Sequence, residues 1–139
     1  AISFSDIKNS LGNGYYYLVE GETQRYVYRS FDERNPSIDE ISIWPTVLSY
    51  DYDENFVIIR QSPNEKAIKQ YLIYFKDKSN EQADSIMKTD AFFINMFASD
   101  TCYWIIDKKD KVINGPFDLS SFLKEKITMG VSNKLHLRE

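Results

Sequence analysis

Polar and apolar side chains alternate over Arg25-Tyr26-Val27-Tyr28-Arg29-Ser30, the period of a strand with one covered face. Just before it, Tyr15-Tyr16-Tyr17-Leu18-Val19-Glu20 is a run of aromatic and branched residues, and the polar link Gly21-Glu22-Thr23-Gln24 has the length of a turn. The two runs are predicted to form a hairpin. A second hairpin is expected from residues 46–52, which put Leu48, Tyr50 and Tyr52 on one face, through Asp53-Glu54-Asn55 to the apolar return of residues 56–61. Residues 102–107 and 112–114, joined across residues 108–111, read as a third. Ile41-Ser42-Ile43 is a brief strand ending at Trp44-Pro45, where proline holds the preceding residue extended and withdraws an N–H. Asn35-Pro36 and several charges make residues 31–40 a surface loop. The chain opens with an amphipathic segment, residues 4–11, stopped by Gly12-Asn13-Gly14.

Ser62-Pro63-Asn64-Glu65 has turn chemistry, and Tyr71-Leu72-Ile73-Tyr74-Phe75 is apolar on both faces, which predicts a strand in the middle of a sheet. Over residues 80–98 the period changes: Ala83, Met87, Ala91, Ile94 and Ala98 recur at steps of three and four, giving one helix, or two if Asp90 caps a second. Asp118 is placed as the N-cap of a C-terminal helix striped by Leu119, Phe122, Leu123 and Ile127 and stopped by Gly130. Alternation puts Trp104 and Ile106 on one face of the third hairpin, expected to pack under that stripe, and Leu135-His136-Leu137 reads as a last short strand. The fold class is therefore α+β: an antiparallel sheet of roughly six or more strands built from hairpins, with one or two helices near 80–98 and a C-terminal helix near 118–129. No linker of biased composition and no repeat divides the 139 residues, so a single domain over residues 1–139 is expected.

Composition changes this picture in two places. Ten Tyr, nine Phe and two Trp make an aromatic excess that suits half-buried strands and also recognition surfaces, because a tyrosine ring is apolar and its tip is polar. A net charge of −4 supplies no basic field for phosphate backbones, which sets nucleic acid aside as a partner. Cys102 is the single cysteine, with no disulfide partner, and its neighbours Tyr103, Trp104, Ile105 and Ile106 mark an inert strand position. No apolar run approaches the ~20 residues that span a bilayer.

No catalytic motif withstands a check of spacing. Asp51-Tyr52-Asp53-Glu54-Asn55 offers oxygen atoms at alternate positions of a calcium loop, but Phe56 replaces the turn glycine and Ser62 stands where a bidentate glutamate is needed. His136, the only histidine, lies three residues from the C-terminus, a poor foundation for a nucleophile pair. Gly12-Asn13-Gly14 precedes a strand and lacks the helix N-terminus of a phosphate cradle. No catalytic residue, metal ligand or cofactor is expected, and a hydrolytic enzyme would need carboxylates or a Ser–His pair that only the fold brings together. The candidate binding residues are aromatic: Tyr15, Tyr17, Tyr26 and Tyr28, expected to share one face of the first hairpin, and Tyr103 and Trp104 in the third. The expected partners are a protein, a peptide or a glycan.

Two resemblances bear on function. Tyr103-Trp104-Ile105-Ile106-Asp107, Val112-Ile113-Asn114-Gly115-Pro116-Phe117 and the helix with Phe122, Leu123 and Gly130 are similar to the hairpin, Gly-Pro-Phe turn and helix of GYF domains. That resemblance implies docking of proline-rich peptides on Tyr103, Trp104, Gly115, Pro116 and Phe117, although Val131 and Ser132 stand where GYF domains carry aromatic residues. Over more of the chain, from Asn13-Gly14-Tyr15-Tyr16-Tyr17 through Tyr50-Asp51 to the Tyr103–Phe117 segment, the sequence resembles small uncharacterised bacterial proteins, many made as lipoproteins. This implies a place in the cell envelope, outside the cytoplasm, with membrane contact only through a lipid anchor on a segment preceding Ala1.

Overall fold

The computed structural model describes residues 7–138. Strands β1 (Ile7–Gly12), β2 (Tyr15–Val19), β3 (Arg25–Arg29) and β4 (Glu40–Ile43) form one antiparallel sheet in chain order. A second follows the same rule with β5 (Val47–Tyr52), β6 (Phe56–Gln61), β7 (Cys102–Asp107) and β8 (Val112–Phe117). Between β6 and β7 lie helices α1 (Glu65–Phe75), α2 (Asn80–Thr89) and α3 (Ala91–Phe97), and α4 (Leu119–Thr128) follows β8. The fold is α+β, with its antiparallel strands divided between two sheets of four. All three hairpins form, and the opening segment is strand from Ile7 onward; the part of it at residues 4–6 lies outside the described residues.

Each helix begins where a side chain can satisfy its free N–H groups. Asn64 accepts from Ala67 N at 2.9 Å, Ser79 and Gln82 exchange hydrogen bonds in a capping box, and Asp118 accepts from Ser121 N at 2.7 Å. Asp90 accepts from Phe92 N at 2.9 Å, so residues 80–98 hold two helices. The chain leaves α4 at Gly130, whose φ of +76° is a conformation that glycine adopts without strain.

The segment Tyr71–Phe75 is not a strand: it is the last half of α1. Asn64, taken as turn chemistry, is its cap, and Ala67, Ile68, Tyr71 and Leu72 form the buried face at helical spacing. The strands that are apolar on both faces are β6 and β7, both interior to the second sheet. Val57, Ile59, Cys102, Trp104 and Ile106 face the main core, which also takes in the first sheet and the first three helices. Ile58 and Ile105 face the other way, against Phe122 and Leu135. Trp104, 1% exposed, therefore sits on the opposite side of the sheet from α4, where its ring meets Phe92 of α3 at 5.9 Å. Leu135-His136-Leu137 makes no strand. That tail runs beside β5, held by His136 N donating to Asp51 Oδ2 at 2.9 Å and Ser49 Oγ donating to the Arg138 carbonyl at 3.0 Å.

Candidate functional site

The four hairpin tyrosines do not share a face. Residues directly opposite in an antiparallel pair lie on the same side, and Tyr16 faces Tyr28 while Tyr17 faces Val27. Tyr15 and Tyr17 are thus on one side of the first sheet and Tyr26 and Tyr28 on the other. Tyr15 is core. Tyr17 reaches the second sheet, its ring 4.3 Å from that of Tyr50, and borders an open depression of about 360 Å³ beside Tyr50 and Tyr52. Tyr28 is buried against Tyr16, with ring centroids 5.2 Å apart. Trp104 is in the core, and Tyr103, half-buried, stacks on Phe122 at 4.9 Å.

Tyr26 is the candidate that leads to a site. Its ring packs edge-on to Tyr71 of α1 at 4.9 Å, and its hydroxyl donates to Glu20 Oε1. Tyr71 donates to the same oxygen at 3.4 Å. Glu20 follows β2 directly, in the turn closed by Glu20 N donating to the Gln24 carbonyl at 2.9 Å. The carboxylate lies at the wall of a groove of about 500 Å³ that is also lined by Gln24, Gln70, Tyr71, Tyr74 and Phe75. That volume lies within the range of small-ligand sites. Phe75 meets Tyr71 at 5.3 Å and Tyr74 at 6.0 Å, both edge-to-face, and Tyr74 is 85% exposed.

Burial, reinforced by the Glu20 carboxylate, pushes the Tyr26 and Tyr71 hydroxyls well above the usual phenol range. Both stay protonated donors and orient the carboxylate. They use one oxygen, and Oε2 takes part in none of the described hydrogen bonds. A carboxylate backed by two phenols and bordered by aromatic rings can hold a cation, through a charge-assisted hydrogen bond and the negative faces of the rings. Among the described residues no three His, Cys, Asp or Glu side chains come together to hold a metal ion, and the Asp53 carboxylate of the calcium-like segment accepts from Asn55 N and Phe56 N inside its own turn.

Sequence reasoning missed Glu20, Tyr71, Tyr74 and Phe75 as a group. Reading residues 71–75 as a strand sent alternate rings to opposite faces; at helical spacing, positions 71, 74 and 75 converge on one end of α1.

The fold and the groove define an α+β domain with an acidic, aromatic-walled site. The chain belongs to the family described as Protein of unknown function (DUF3997), whose model matches residues 12–139. No curated protein and no solved structure matches it. Among the described residues, no helix is long and apolar enough to cross a membrane.

Proposed function

We propose that this is a non-catalytic binding domain of the bacterial cell envelope that takes an ammonium or guanidinium group of a peptide or protein partner into the Glu20 groove. The observation that carries the reading is the Glu20 carboxylate, held by two buried tyrosine hydroxyls at the wall of an aromatic groove. The envelope placement is supported by the resemblance to small bacterial lipoproteins, and fractionation of cells making the natural full-length protein tests it. Recovery with membranes is expected, and recovery in the cytosol would overturn that part.

The site is tested with a terminally blocked Gly-Lys-Gly-Arg-Gly peptide titrated by calorimetry into the wild type and Glu20→Gln. Glutamine keeps an acceptor for both tyrosines but loses the charge, so folding is retained. Affinity should fall by roughly tenfold to a hundredfold, the size of a charge-assisted hydrogen bond of about 1.5–3 kcal/mol. Equal affinity would remove the carboxylate from the binding site. A GYF-like mode for proline-rich peptides is less well supported, since of its two aromatic candidates in β7 only Tyr103 reaches a groove.

A further inference from the structure

A second groove, on the far side of the second sheet, has the opposite chemistry. Arg60 of β6, Lys126 of α4, and His136 and Arg138 of the tail line a cavity of about 190 Å³ whose lining residues include no carboxylate, in a chain with 21 acidic residues. Arg60 pairs in register with Tyr103 and with Ser49, which directs its side chain to the α4 side along with Tyr103. Its Nε is buried and, among the described residues, has no hydrogen-bond partner, so a donor has been taken out of water without a described acceptor. The Lys126 ammonium lies 5.5 Å over the Phe122 ring, which stacks in turn on Tyr103; among the described residues its partner is a ring face and not an acid. The remaining wall is aliphatic: Leu119, Leu123 and Leu137 line the cavity, and beyond it Leu119 and Leu123 are about half exposed and Ile127 is 83% exposed.

We propose that this groove is a binding site for an aliphatic carboxylate, its head on Arg60 and Lys126 and its tail along Leu119 and Leu123 of α4. The planar guanidinium matches a carboxylate, and Lys126 brings a second positive charge to the same cavity. The cavity holds a head group and a few methylenes, so the rest of the tail must leave across the apolar side of α4, which none of the described residues covers. This site is independent of the Glu20 groove and selects the opposite charge.

Octanoate, octylammonium and inorganic phosphate are titrated by calorimetry into the wild type, Arg60→Met and Lys126→Gln. Arg60→Met keeps the stem and removes an unpartnered polar atom, so it should fold; Lys126→Gln is a second variant at a half-buried position on α4. Octanoate is expected to bind the wild type and to lose at least about tenfold in affinity in each variant, with octylammonium and phosphate binding far more weakly. The proposal is overturned if octanoate fails to bind, if both variants bind it as the wild type does, if octylammonium binds equally well, which would mark a merely apolar surface, or if phosphate does, which would remove the tail from recognition.

Discussion

The Gln61 side chain is fully buried, and its amide has partners on both sides. Nε2 donates to the Trp44 carbonyl at 2.7 Å, while Oε1 accepts from Trp104 Nε1 at 2.6 Å and from Cys102 Sγ at 3.1 Å. One amide thus ties the end of β4 to β7 through β6. Gln61→Leu has nearly the same volume but orphans the Trp104 N–H and the Trp44 carbonyl, so a loss of about 2–4 kcal/mol is expected in urea unfolding. A variant as stable as the wild type would contradict this role. Burial also pushes the Cys102 thiol up to about 11, which keeps it protonated and unreactive, as its apolar neighbours indicate in the sequence. The interior placement of Trp104 and Cys102 was legible from those neighbours. The role of Gln61 was not, because its partners lie 41 and 43 positions away and no local pattern announces them.

At the scale of elements, caps read true and stripes were ambiguous. Asp90, Asp118 and Gly130 act through backbone groups a few residues away, so local sequence is enough to place them. Helix α1 was hidden because Tyr71-Leu72-Ile73-Tyr74-Phe75 is as suitable for a strand as for a helix, and only the longer window from Asn64 shows the helical period. In α4 the stripe of four apolar residues delivers one to the core: Phe122 is buried, whereas Leu119, Leu123 and Ile127 are exposed. Phe122→Ala should therefore cost about 3–5 kcal/mol, and Ile127→Lys should stay within about 0.5 kcal/mol of the wild type. Chemical unfolding of the two variants checks both, and a large loss in Ile127→Lys would mean that the stripe is covered.

For the whole molecule, hairpins were visible as neighbouring runs, but their division into two sheets was not. It depends on contacts such as the buried Lys108, which leaves the β7–β8 turn to donate to the Leu11 carbonyl of the first sheet, 97 positions away. The Glu20 groove is non-local in the same sense, joining a hairpin turn to a helix end 51 positions further on. Of the six aromatic candidates, the sequence pointed to Tyr26 by its aromatic excess, yet the Glu20 carboxylate at the wall of the groove carries no motif. The most direct test is an amide-resolved NMR titration of the wild type with the Gly-Lys-Gly-Arg-Gly peptide, beside a Gly-Glu-Gly-Asp-Gly peptide of equal length. A cation-holding groove requires shifts confined to residues 20–26 and 70–76 with the basic peptide and none there with the acidic one. Shifts centred on Tyr50 and Tyr52, or equal responses to both peptides, would contradict it.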